Sequence, residues 1–434
     1  MGIKTDSEIG QGSREAVREA PTTKLDSTQT INGRTRAVAT AIVVGVVVAV
    51  TISEKFADQV ARDNFFSLTL AGCTIIFLSV RSWREFPQAV GAGAVLLGLQ
   101  MFILGTSFRV LTAFALLGLG SWLLLAVRRI WSSGNNDDRV LLQDATLPPF
   151  LFLLLGYFGS GPLVMTARLH PKTLDWFLYS FDQSLGTQLS FRLGQVVLPS
   201  RLLTRATLGV YYALPIAIMF TYARQLVRNR NLAMMAFLAF VVAGPLGVVF
   251  YNLVPAGGPA NLFGAKFPFD PLTTEELRRI PMEALTIAGP RNAFPSLHLA
   301  WALLIDWYAE GLSRWIKIVF FVFVLGTIGS TLALGEHYFI DLVTAFPFAL
   351  MIQAACALNV SFSDSRRIVA LLTGALLMVA WMVLLRWGLP LVWISPIVPW
   401  TLVAGTITST LWLQARLRPL LFRSVEIAPA AVEL

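Results

Sequence analysis

The stretch Leu232-Ala233-Met234-Met235-Ala236-Phe237-Leu238-Ala239-Phe240-Val241-Val242-Ala243-Gly244-Pro245-Leu246-Gly247-Val248-Val249-Phe250 contains no charged side chain. It lies in an apolar block over 231–252. At about 1.5 Å per residue, some 20 helical residues cross a hydrocarbon core roughly 30 Å thick. Polar and apolar residues do not alternate along it, as they would in a membrane-spanning strand. The block therefore reads as a transmembrane α-helix.

Eleven more blocks of this kind surround it, near 37–52, 65–80, 88–107, 110–127, 147–167, 205–224, 297–313, 315–334, 337–358, 367–387 and 389–413. The fold class expected is all-α, a polytopic membrane protein of about 12 transmembrane helices. Composition agrees. Of 434 residues 56% are hydrophobic and only 14% charged, against roughly 25% charged in soluble domains. That mixture excludes a soluble globular protein, a disordered chain and a disulfide-stapled secreted domain. Cys73 and Cys356 sit far apart inside apolar blocks and read as packing residues.

The net charge is +9. In a soluble protein this would suggest a nucleic-acid partner. Here most basic residues flank apolar blocks, where they set orientation, so no nucleic acid is expected. With twelve crossings, the side holding the N-terminus receives 21 of the 34 Lys and Arg residues. Nine of the other 13 fall in two long segments, 168–205 and 253–296, which count less in the positive-inside rule. Both termini are thus expected in the cytoplasm and the long segments on the outer face. The division expected is a disordered tail over 1–36, a four-helix membrane region over 37–128, a six-helix core over 147–358 and a two-helix region with tail over 359–434. The first block would be an uncleaved anchor in a plasma membrane, in a bacterium the inner one.

Connections of about forty residues between membrane helices are long and often functional. The first contains Leu174-Asp175-Trp176-Phe177-Leu178-Tyr179-Ser180-Phe181, an aromatic run that suggests a helix lying in the interface. The second opens Tyr251-Asn252-Leu253-Val254-Pro255-Ala256-Gly257-Gly258-Pro259. Its glycines permit close backbone approach and anion-binding nests, though such a stretch is often only a turn. Thr273-Thr274-Glu275-Glu276 offers a capping box for a short helix.

Of the three histidines, two fall at membrane edges on this same outer face. His298 follows Arg291-Asn292-Ala293-Phe294-Pro295-Ser296-Leu297. Ser296 can cap the helix that His298 begins, and a helix N-terminus favours anions. Arg291 suits bidentate contact with phosphate, or is a rim charge. His337 begins His337-Tyr338-Phe339-Ile340-Asp341. Four residues apart on a helix, His337 and Asp341 share a face. A carboxylate there would fix the imidazole tautomer and free the other nitrogen as nucleophile or base. The plainer reading is a polar pair closing a helix end. His170 has no carboxylate in phase and reads as structural. No metal set, phosphate-binding loop, dinucleotide fingerprint or nucleophile elbow is present, so no metal and no cofactor is expected.

Phe294-Pro295-Ser296-Leu297-His298 followed by His337-Tyr338-Phe339-Ile340-Asp341 resembles motifs two and three of the type 2 phosphatidic acid phosphatase superfamily. The pattern is more similar to its inositol phosphorylceramide synthase-like branch, where Pro-Ser-Leu-His replaces Pro-Ser-Gly-His. The Tyr251 to Pro259 stretch resembles that branch's first motif. Ser330 and Thr331 stand where the wider superfamily has Ser-Arg. That leaves Arg291, and more weakly Lys266, to meet the phosphate.

The resemblance implies an enzyme acting on a lipid phosphate or phosphodiester. His337 would attack phosphorus to form a phosphohistidine, Asp341 would orient it and His298 would protonate the leaving oxygen. Arg291, Asn292, Ser296, Tyr251, Gly257 and Gly258 would surround the substrate. An alcohol such as inositol would accept the phosphoryl group in a transferase, and water in a phosphatase. The competing class is a non-catalytic transporter or scaffold.

Overall fold

A computed structural model describes residues 33–132 and 136–422. The N-terminal region holds helices α1 (Gly33–Thr51), α2 (Glu54–Arg62), α3 (Asn64–Val80), α4 (Phe86–Leu104) and α5 (Val110–Trp131). The long α6 (Asn136–Leu169) leads to strand β1 (Lys172–Thr173), α7 (Asp175–Ser184) and α8 (Leu189–Val197). Next come α9 (Arg201–Tyr212), α10 (Leu214–Arg228) and α11 (Arg230–Leu253). Short elements follow, α12 (Pro259–Phe263), α13 (Thr274–Arg279) and β2 (Leu285–Thr286). The chain ends with α14 (Leu297–Tyr308), α15 (Arg314–Ala333), α16 (Phe339–Ala355), α17 (Ser365–Trp387), α18 (Leu389–Val392) and α19 (Ile397–Phe422).

The apolar blocks are helical, those at 205–224 and 389–413 each divided over two helices, and the fold is all-α. Among the described residues, seven helices are long and apolar enough to cross a membrane, or nine if two bent pairs each count as one. The bends are 96° between α2 and α3 and 43° between α9 and α10. The helix α14 has 12 residues and rises only about 18 Å, short of a bilayer's width. The tail expected over 1–36 lies largely outside the described residues. Its last four residues are helical, since α1 begins at Gly33. Arg36 there donates to the Trp131 carbonyl at 3.4 Å.

The break between α2 and α3 has a local cause. Asp63 caps α3, accepting from the Phe66 amide at 3.0 Å, so a new helix starts in a new direction. Helices α3 and α5 then pack with their backbones almost touching. A Cβ at Gly118 would stand 1.8 Å from the Leu70 carbonyl oxygen, a closeness that small residues permit in membrane helix pairs. Outward, the molecule is apolar. Phe102 is 88% exposed, and α15 presents Trp315, Val319, Val322 and Leu325. Such surface suits lipid and not water.

Contacts between helix ends fall into two sets. One joins Gln100 to the Thr51 carbonyl (3.1 Å), Arg109 to the Ala61 carbonyl (3.4 Å), His170 to Asn252 (3.1 Å) and Trp400 to the Leu185 carbonyl (3.2 Å). The other joins Arg36 to Trp131, Lys317 to Glu310 (2.7 Å), Asn359 to the Leu421 carbonyl (2.9 Å) and Arg230 to Asp144.

The two long connections form one cap. Strand β1 pairs antiparallel with β2, Lys172 opposite Thr286 and Thr173 opposite Leu285. The Leu174 amide donates to the Pro255 carbonyl at 2.7 Å. The aromatic run is helical, as expected, but it is packed inside this cap. Leu178, Tyr179 and Phe181 of α7 are fully buried. Thr273 and Glu276 form the expected capping box at the start of α13.

Candidate active site

His337 sits in the turn ahead of α16, and His298 in the first turn of α14. Their rings are 6.4 Å apart, centre to centre. His337 is 2% exposed. Its Nδ1 lies 2.9 Å from the Ala293 carbonyl oxygen. A carbonyl only accepts, so Nδ1 carries the proton and Nε2 carries the lone pair. Asp341 is farther from the ring, with Oδ2 3.6 Å from Nδ1. That oxygen accepts from the Tyr338 amide at 2.8 Å, closing the first turn of α16. The imidazole is therefore oriented by a backbone carbonyl, with the Asp341 carboxyl group nearby and acting as a helix cap.

His298 is held by aromatic rings. It stacks on Tyr211 at 4.0 Å with an interplanar angle of 24° and meets the edge of Phe65 at 5.9 Å. Its Nε2 has no hydrogen-bond partner among the described residues, nor has Asp341 Oδ1 or Asn292 Oδ1. Ser296 caps α14 as expected, its hydroxyl accepting from the Leu299 amide at 3.4 Å. Its own amide donates to the Asp341 carbonyl at 3.0 Å, tying the start of α14 to α16.

Two acids of α7 organise the surroundings, and neither stood out in the sequence. The fully buried Asp175 accepts from the amides of Gly257 (3.1 Å) and Gly258 (2.9 Å) and from the Tyr338 hydroxyl (2.8 Å). The glycine amides thus hold a protein carboxylate, and the anion expected in that nest is supplied by Asp175. Asp182 accepts from the amides of Phe339 (2.6 Å) and Ile340 (3.1 Å) at the start of α16. Burial raises both carboxyl pKa values, while these hydrogen bonds lower them. Gly258 has φ +88°, and a Cβ there would stand 2.4 Å from the Glu336 carbonyl oxygen. Only glycine lets this loop lie against the residue preceding His337.

Arg291 is buried, and its guanidinium makes four hydrogen bonds to backbone carbonyls. It donates to the carbonyls of His170 (2.9 Å), Gly289 (2.5 Å), Pro171 (3.2 Å) and Ile287 (3.2 Å). That geometry clamps the loop bearing Ala293, and leaves the arginine poorly placed for the phosphate contact expected of it. Ser330 and Thr331 turn their hydroxyls back to the Thr327 carbonyl. Lys266 faces Asp270 at 3.7 Å on the surface. Tyr251 is buried at the end of α11, beside the Leu297 backbone.

Comparison with known families places this region. Residues 176–355 match the family model of the PAP2 superfamily, whose members are typically phosphatases or phosphotransferases. The match runs from α7 to the end of α16 and includes His298, His337 and Asp341. A search of curated proteins and a search of solved structures found no match. The chain is thus a helical membrane protein in which residues 176–355 match that family model.

Proposed function

We propose that this protein transfers a phosphoryl group from a lipid phosphate or phosphodiester through a phosphohistidine, in the manner of an inositolphosphotransferase. The observation that carries the reading is the pair of imidazoles 6.4 Å apart, one oriented by the Ala293 carbonyl with Nε2 unprotonated. An attacking nitrogen stands about 3–3.5 Å from its target, and a general acid within about 2.6–3.2 Å of the oxygen it protonates. On this reading a single phosphate bridges the two rings.

In the first step His337 Nε2 attacks phosphorus and the P–O bond to the leaving group breaks. His298 gives its Nε2 proton to the departing oxygen. In the second step a hydroxyl of the acceptor gives its proton back to His298. Its oxygen attacks phosphorus, the P–N bond breaks, and His337 is regenerated neutral. Asp341 stabilises the charge that develops on the His337 ring during the intermediate. The scheme invokes no metal. Asn292, Ser296 and Tyr251 line the approach. Gly257, Gly258 and Arg291 serve as positioning residues, through the loops they fix.

Twelve spans, with α6 to α16 as the six-helix core, complete the proposal. The two sets of helix-end contacts support that alternation. The charge bias then puts both termini in the cytoplasm and the histidines on the outer face of a plasma membrane, the inner membrane if the host is bacterial. Replacement of the acceptor by water would make the same site a phosphatase, a reading favoured by the family match as much as transfer is. Incubating the purified protein with labelled lipid phosphates and phosphodiesters, with and without inositol, separates the two. A labelled product that needs inositol is expected, inositol monophosphate from a lipid phosphate and an inositol phosphodiester from a phosphodiester. Free phosphate in both arms would make it a hydrolase, and no product in either would overturn the enzyme.

A further inference from the structure

Away from the histidines, two cavities meet on the outer side of α7. One, of about 430 Å³, is lined by Leu277, Arg278, Met282, Arg386, Trp387 and Trp393 among others. The second, of about 370 Å³, runs between α7, α11 and α17 and is lined by Leu178, Val254, Val379, Met382 and Val383. Phe177, Arg386 and Trp387 belong to both. Neither wall contains an acidic residue. The Arg278 guanidinium lies 5.8 Å from the Trp393 ring centre and that of Arg386 5.8 Å from the Trp387 ring centre. Neither arginine meets a carboxylate among the described residues. The nearby Glu276 is engaged in its own capping box.

We infer that this junction binds one anionic phospholipid, its phosphate between Arg278 and Arg386 and one acyl chain in the apolar groove. Two guanidinium groups with aromatic neighbours and no acid select net negative charge. An apolar slot opening from the same residues selects a chain over a free anion. The surrounding surface is already lipid-facing, with Trp387 72% and Ile394 73% exposed. The site is built where α17 and α18, outside the PAP2-type segment, meet α7 within it. Because α7 carries Asp175 and Asp182, a bound lipid would brace the helix that holds the loops around His337. This gives the C-terminal helices a role, and it does not depend on the chemistry proposed for the histidines.

The test is native mass spectrometry of the full chain titrated with phosphatidylglycerol or phosphatidylcholine. One phosphatidylglycerol should bind with a preference of roughly 25-fold, from about fivefold per arginine. R278Q/R386Q should lose that preference, while R278K/R386K and H337A keep it. Should the double variant fail to fold, R278Q and R386Q singly should each lose about half of it on a logarithmic scale. Equal binding of the two lipids by the native chain, or a preference that survives the double Gln change or both single changes, overturns the site. Displacement of the lipid by millimolar inorganic phosphate would overturn the lipid assignment.

Discussion

His337 turns Nδ1 to the carbonyl oxygen of Ala293, 2.9 Å away, and stands 3.6 Å from the nearest oxygen of Asp341. The tautomer is therefore set by the backbone of the loop that Arg291 clamps. Asp341 caps the helix, and in the proposed reaction it also contributes charge. The two roles separate on mutation. D341N keeps an acceptor for the Tyr338 amide and removes the charge. It should fold, with a midpoint of thermal unfolding within a few degrees of the native chain, and lose turnover by about 10²-fold. Unchanged turnover would exclude an electrostatic role for Asp341.

Among the described residues Arg291 has four carbonyl partners and no carboxylate partner. R291K cannot reproduce that fork. The expected result is a lower thermal midpoint together with a fall in kcat, since the Ala293 carbonyl shifts. A rise in KM alone, with stability intact, would instead make Arg291 a phosphate ligand.

Asp175 joins three buried donors from two loops. D175A leaves them unsatisfied and should cost about 3 kcal/mol or more, while Y338F removes one donor and should cost about 1 kcal/mol. Thermal unfolding in detergent measures both. Comparable small losses would mean that water replaces the carboxylate.

Gly258 admits no side chain, because of its positive φ and the Glu336 carbonyl 2.4 Å from any Cβ. G258A should destabilise by roughly 2 kcal/mol and depress turnover by displacing His337. A variant with native stability and turnover would show that the loop has room to shift.

Much of the architecture is legible in residue order alone. Apolar runs become helices because backbone groups in lipid must be satisfied internally, and Ser296, Thr273 and Glu276 cap where local chemistry directs. The arrangement around the histidines is less legible, for physical reasons. Ala293 acts through its carbonyl, which any residue possesses. Asp175 and Asp182 sit in an aromatic run whose composition suits an interface, and only folding shows that their partners are amides of residues 257, 258, 339 and 340. Tyr211 and Phe65 reach His298 from helices far away in sequence. Arg291 illustrates the ambiguity most clearly, since a guanidinium fits backbone carbonyls as well as a phosphate. The break at Asp63 had a signal, a capping residue before an apolar run, within what otherwise reads as a simple loop.

The central claim is a covalent bond between phosphorus and His337 Nε2. Acid-labile, base-stable label should appear on the native chain after rapid alkaline quenching of a reaction with a phosphorus-labelled lipid donor. H298A should accumulate less of it and turn over about 10²–10⁴-fold more slowly, and H337A should carry none and be inactive while still folding. Turnover by H337A, or label on the protein that persists without that imidazole, would contradict the account.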